Sequence, residues 1–152
     1  MTISLMTSAP EDITEMASCE QTSARTRILV VDDHYIVRRG LCELLSQQPG
    51  YEVGAAVNNA QQAIEAARHE PFDLAIVDLS LGEIDGIELT GRLKSEHPDL
   101  VVLILSMHDE SLYAHQAAGA GASGFVAKQR AGEMLLPAIH RVLRGEFYFS
   151  NL

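Results

Sequence analysis

Apolar residues in this chain fall in short runs that alternate with longer amphipathic stretches. Ile28-Leu29-Val30-Val31, Tyr51 to Val57, Leu74-Ala75-Ile76-Val77-Asp78, Val101 to Leu105 and Ser123 to Ala127 have strand length. Runs this apolar predict strands buried on both faces, as in a parallel sheet. Between the first two, Ile36, Val37, Leu41, Leu44 and Leu45 share one helical face, in a segment that ends at Pro49-Gly50. Asn58 or Asn59 caps a second helix, whose Ala-rich face carries Ala60, Ala63, Ile64 and Ala67 and which Pro71 stops. Further helices are predicted over about 85–96, 110–118 and 132–144. Pro137 fits the last one if regular helix begins near Glu133, since first-turn amides have no intrahelical partner. Gly145 ends that helix. The result is βα repeated five times with short connections. That pattern predicts an α/β fold, a parallel sheet covered by helices on both faces and joined by right-handed crossovers. Residues 1 to about 26, rich in Ser, Thr, Ala and Glu and without a sustained period, predict a disordered or loosely helical, dispensable leader.

Composition narrows the function classes. The 152 residues suffice for one domain with a proper core. With Lys+Arg 11 against Asp+Glu 21, the net charge is −10, and the few basic residues are scattered. Such a surface is a poor non-specific binder of nucleic acid, because phosphate attraction needs clustered cations. Cys19 and Cys42 make neither a disulfide framework nor a metal site, and free thiols in a reducing cytoplasm are expected. No apolar stretch approaches the roughly 20 residues of a membrane span. The N-terminus lacks the basic and apolar regions of a signal peptide.

The chemistry lies at the strand ends. The five strands finish at Asp32-Asp33, Val57-Asn58, Asp78, Ser106 and Lys128. In a sheet of order 2-1-3-4-5, strands 1, 3, 4 and 5 have neighbouring carboxyl ends, which is where open α/β sheets bind ligands. Three carboxylates, a hydroxyl and an ammonium would then meet in one cleft. Clustered carboxylates call for a hard divalent cation such as Mg²⁺, held by oxygen ligands and waters. Asp32 and Asp33 suit the metal. Asp78 can bind it and also act as a nucleophile, aspartyl phosphate being an established covalent intermediate. The backbone carbonyl of Ser80 could complete the shell. Lys128 would stabilise charge on an incoming phosphoryl group, and Ser106 can donate to one of its oxygens. Asp32, Asp33, Ser106 and Lys128 alone are more simply helix caps, a turn residue and a surface lysine, Asp78 alone divides evenly between a loop cap and a functional group, and Phe125 alone is a core aromatic. Their joint placement favours function.

Those residues carry a resemblance. From about Arg27 to Glu146 the chain resembles the receiver domain of two-component response regulators. The resemblance implies the flavodoxin-like order 2-1-3-4-5, which periodicity does not show. It makes Asp78, in Ile-Val-Asp-Leu-Ser-Leu, the phospho-acceptor, and Asp32 and Asp33, in Val-Val-Asp-Asp-His, the acidic pair that holds Mg²⁺. Ser106 in Leu-Ile-Leu-Ser-Met-His matches the Ser/Thr switch, Lys128 in Gly-Phe-Val-Ala-Lys the phosphate-contacting lysine, and Phe125 the aromatic switch. Val-Arg-Arg-Gly-Leu at 37–41 and Leu-Ser-Met-His-Asp-Glu at 105–110 look most like the NarL/FixJ subfamily of LuxR-type regulators.

The same resemblance implies a cytoplasmic switch rather than an enzyme. A sensor histidine kinase or phosphotransfer protein would phosphorylate Asp78, and the face of the fourth helix, fifth strand and fifth helix would change its affinity for a partner. A homodimer is plausible, and DNA would be reached only through a helix-turn-helix output domain that subfamily members carry beyond this point. The chain stops at Phe147-Tyr148-Phe149-Ser150-Asn151-Leu152, where that linker begins, so a receiver cut from a longer chain is expected ahead of a single-domain regulator. Several residues depart from the family pattern. Gly82 stands where receivers often carry Pro, so a more mobile loop is expected there. Gln129 replaces a Pro after the lysine, Tyr35 replaces a Pro after the acidic pair, and Phe125 lacks a hydroxyl. His108, two residues past Ser106, faces the expected site. Three other classes fit less well. A small Mg²⁺-dependent phosphohydrolase places its nucleophile on the first strand, and a phosphate-independent binding module has no use for the intact acidic set. A flavin protein needs a phosphate-cradling loop where this chain has Asp32-Asp33.

Overall fold

Alternation of side-chain direction along each apolar run divides the core into two halves. The computed structural model describes residues 25–149, so the predicted leader lies almost wholly outside the described residues, as does Cys19. Five strands, β1 (Thr26–Val31), β2 (Tyr51–Val57), β3 (Leu74–Asp78), β4 (Val101–Ser106) and β5 (Gly124–Ala127), form one sheet. The order is β2-β1-β3-β4-β5 and every pairing is parallel. The helices are α1 (Tyr35–Ser46), α2 (Ala60–His69), α3 (Gly86–Glu96), α4 (Glu110–Ala120) and α5 (Ala131–Leu143), the last preceded by a 3₁₀ turn over Lys128–Arg130.

Ile28, Val30, Leu74, Ile76, Leu103 and Leu105 face α1 and α5. Leu29, Val31, Ala75, Val77, Val102 and Ile104 face α2, α3 and α4. The crossover that runs one way across the sheet therefore lies on one face, and the three that run the other way lie on the opposite face. A single crossover hand requires that division. The chain reverses direction between β1 and β3, and the carboxyl ends of these two strands form the topological switch point.

Three details differ from the sequence expectation, and a fourth adds to it. β1 begins at Thr26, whose N–H bonds to Gly50 O at 2.9 Å, so the first strand starts two residues before the apolar run and takes in the last residue assigned to the leader. Ile36 does not join the α1 core face: it lies on the far side of the helix from Leu41 and Leu45 and is largely exposed. Pro137 is interior to α5, which begins at Ala131 rather than near Glu133. The cost of its missing N–H is tolerated because Leu135, Ala138, Ile139 and Val142 bury a full face against the sheet. Finally, residues 147–149 pack on the domain. Tyr148 N–H bonds to Ser123 O at 2.9 Å, its carbonyl accepts from Phe125 N–H at 3.0 Å, and this bridge covers the outer edge of β5.

Candidate functional site

The switch point holds the residues that the strand ends predict. Asp32, just past β1, is 1% exposed and Asp78, the last residue of β3, is 2% exposed. Lys128 follows β5 directly and turns inward: its Nζ lies 2.9 Å from Asp32 Oδ2 and 3.2 Å from Asp78 Oδ2. Asp33 sits at the more open rim. Local bonds fix this geometry. Asp32 N–H donates to Val57 O at 3.1 Å, tying the acidic turn to β2. The Arg38 guanidinium, one turn into α1, donates to Asp32 O at 2.8 Å. Ser80 N–H donates to Asp78 Oδ1 at 3.3 Å.

The electrostatics are those of an under-neutralised acidic pocket. Burial raises the Asp78 carboxyl above its ordinary range, and the nearby Asp32 charge raises it further; the Lys128 ammonium and the Ser80 N–H act in the opposite direction. Neither Asp32 Oδ2 nor Asp78 Oδ2 receives a well-directed hydrogen bond, although both are buried, and the ion-pair contact with Lys128 is what faces them. Donor atoms from Asp32, Asp33, Asp78 and His34 all lie within 4.8 Å of one another. An oxygen-rich set with unsatisfied buried lone pairs fits a hard divalent cation.

Ser106 ends β4 one register step beyond Leu105, the partner of Asp78, and is fully buried. Its Oγ accepts the His108 N–H at 2.8 Å, which leaves the hydroxyl proton available to another acceptor. His108 is exposed at the rim, where its Nε2 lies 3.2 Å from Ser80 Oγ and its ring packs edge-on against Tyr113. Phe125 is buried in the half-core beneath α2, α3 and α4. Gly82 has φ 91°, a left-handed conformation closed to the Pro that receivers often carry there. All peptide bonds of the described residues are trans, Gln129 included.

Two residues at the site escaped the sequence reasoning. His34 places Nδ1 3.1 Å from Asp32 Oδ1 and 3.1 Å from Asp33 Oδ1, and its one sequence signal is adjacency to the acidic pair. Gly86 begins α3 and donates its N–H to Leu79 O at 2.7 Å; a Cβ there would stand 2.3 Å from Asp78 O. Only that missing Cβ lets α3 pack so close to the end of β3, and nothing local in the sequence announces it.

A family model for the response regulator receiver domain matches residues 28–140. This chain belongs to the response regulator receiver family. The receiver is 31% identical over 124 residues to the transcriptional regulatory protein DegU of Brevibacillus brevis, covering 82% of this chain and 52% of that protein. It is 37% identical over 124 residues to the transcriptional activator protein ExaE of Pseudomonas putida, covering 82% and 58% respectively. The receiver thus spans between half and three-fifths of the length of these relatives. Among solved structures it is similar to a LuxR-family two-component response regulator from Aurantimonas sp. SI85-9A1, with a TM-score of 0.79 and 37% identity over 83% of this chain and 90% of that one. The sheet order implied by the sequence resemblance and the LuxR/NarL character of its motifs agree with these findings. They do not favour the phosphohydrolase, flavin or phosphate-independent readings.

Proposed function

We propose that Asp78 accepts a phosphoryl group from a sensor histidine kinase or phosphotransfer protein, and that Asp32, Asp33, Asp78 and the Ser80 carbonyl hold Mg²⁺ for that step. The observation that carries this is the buried Lys128 ammonium bridging Asp32 and Asp78 at the topological switch point. An Asp78 carboxylate oxygen attacks phosphorus while the bond to the donor imidazole nitrogen breaks. The electron pair leaves with the imidazole, which then takes up a proton. A divalent cation held by Asp32, Asp33 and Asp78 would supply positive charge to offset that of the carboxylates and of the phosphoryl oxygens. Lys128, already poised on Asp78, follows the charge onto the new phosphoryl oxygens. Ser106 offers its free hydroxyl proton to one of them. Transfer is stoichiometric, one group per chain, and the product biases a pre-existing equilibrium of the loops and of Phe125, which without a hydroxyl acts by packing alone.

Residues 27–146 act as the receiver, in the cytoplasm, and residues 147–152 as a C-terminal tail or the start of a linker. Homodimerisation is one output open to such a switch. Among the described residues no helix is long and apolar enough to cross a membrane.

Intact mass after incubation with Mg²⁺ and a small acyl phosphate tests the reading. A single phosphoryl adduct is expected on the native chain, lost on chelation of Mg²⁺ and absent from Asp78→Asn. An adduct that survives in Asp78→Asn would place the acceptor elsewhere.

A further inference from the structure

His34 is the N-cap residue of α1, yet its side chain makes no capping bond. The ring turns into the acidic pocket instead, although 58% of the side chain remains exposed. Its Nδ1 stands 3.1 Å from Asp32 Oδ1, 3.1 Å from Asp33 Oδ1 and 3.7 Å from Asp78 Oδ2. These three oxygens come from the residues that the proposed cation site uses. An octahedral ion with donors at roughly 2.1 Å holds adjacent donors about 3.0 Å apart, by geometry. The His34 nitrogen therefore lies where a neighbouring ligand of the same ion would lie, beside two carboxylate oxygens at once.

We propose that His34 is a nitrogen ligand of the cation site and tilts its selectivity toward divalent ions that accept imidazole, Co²⁺ and Zn²⁺ among them. The proposal rests on the reading that this pocket binds a divalent cation. Its chemical basis is the contrast between ions. Mg²⁺ prefers oxygen and keeps several of its waters, so it gains little from an imidazole. Borderline ions bind imidazole well and stand higher in affinity for mixed nitrogen and oxygen donors. Three carboxylates alone would not separate the two groups of ions in this way. The exposed ring can reach such an ion with a small rotation, whereas Asp32 and Asp78 are fixed by burial and by Lys128. Lys128 Nζ, 3.4 Å from the same ring nitrogen, lies on the Oδ2 atoms of Asp32 and Asp78; Asp32 Oδ1 accepts the His34 N–H at 2.8 Å and keeps a second lone pair for the ion, beside Asp33 Oδ1.

The test is direct titration of the whole chain with Co²⁺ and, separately, Mg²⁺, by calorimetry, with the visible d–d bands of Co²⁺ as a second readout. Native chain is compared with His34→Ala and His34→Asn. The asparagine variant keeps a good N-cap and so separates ligand loss from helix loss. Expected is a weakening of Co²⁺ binding by about 10- to 100-fold in both variants, with a changed d–d spectrum and Mg²⁺ affinity within about threefold of native. Equal weakening of both ions, or unchanged Co²⁺ binding, overturns the proposal while leaving the cation site intact. Tighter binding of both ions in the variants also overturns it and makes the ring a stand-in for the cation that an ion must displace. Failure of the native chain to bind either ion removes the cation site itself, and the proposal with it.

Discussion

Asp78 combines burial, a like-charged neighbour at Asp32 and a single ammonium partner, and the balance holds its carboxyl above the usual range. A raised carboxylate makes the folded state bind its proton more tightly than the unfolded chain does. Stability from this group is therefore full below the unfolded pKa of about 3.9 and is lost as pH rises through the higher folded value. Asp78→Asn removes that loss. In cation-free buffer the variant should be more stable than the native chain at pH 7, by about 0.5–2 kcal/mol, the common gain from relaxing a functional site. The difference should shrink toward zero as pH falls to about 4. Chemical denaturation at the two pH values measures it, and an equal gain at both would deny the electrostatic origin. The neighbouring ammonium makes Lys128 the complementary residue: removing it would leave two buried carboxylates facing each other unpaired, which costs more than relieving one.

At the scale of elements, the site depends on how closely α3 approaches the end of β3. Asp85 caps α3 by accepting the Glu88 N–H at 2.8 Å, which sets the start of the helix at Gly86. Gly86 then lies directly against the backbone, and its absent Cβ would meet Asp78 O at 2.3 Å and Leu79 Cα at 2.9 Å. Both are main-chain atoms and cannot swing aside. Gly86→Ala should therefore destabilise the domain by about 1–3 kcal/mol and slow phosphoryl acceptance, because α3 or the Asp78 peptide must move. Gly91→Ala, in the same helix with open space around the added methyl, is the control and should show neither loss. Denaturant midpoints, together with adduct formation followed by mass, distinguish the two variants.

The whole molecule concentrates negative charge where its sheet reverses direction. Three carboxylates share one pocket with one buried ammonium, so a divalent cation should bind the folded chain far better than the unfolded one. Ligand at about 100 times its dissociation constant stabilises the folded state by about 2.7 kcal/mol. For a domain of this size that is a rise in melting temperature of about 10 °C. The rise should reverse on chelation and be largely lost in Asp33→Asn, which removes a rim carboxylate that makes no contact with Lys128. A thermal melt with and without Mg²⁺ decides it, and an unchanged shift in Asp33→Asn would exclude this residue from the cation site.

Much of this molecule is written locally. Apolar runs such as Leu74 to Val77 and Val102 to Leu105 are long enough and punctuated sharply enough to set strand, helix and alternation, because burial on both faces demands such runs. The chemical type of each strand end was equally legible, and so was an Asn cap for α2, read as Asn58 or Asn59; the structure places it at Asn59, whose side chain accepts the Gln62 N–H at 2.8 Å. Tertiary structure alone decided the rest. A helical wheel does not say which apolar residue the sheet will cover, so Ile36 read as core and is surface. Pro137 looked confined to a first turn, but packing of the α5 face outweighs one lost amide bond. His34 and Gly86 carry their roles through atoms that folding brings together, the Asp78 carboxylate beside the His34 ring and the Asp78 carbonyl over Gly86. A ring nitrogen between carboxylates of two strands and a methyl-sized gap over Asp78 O are relations in space that no single segment encodes.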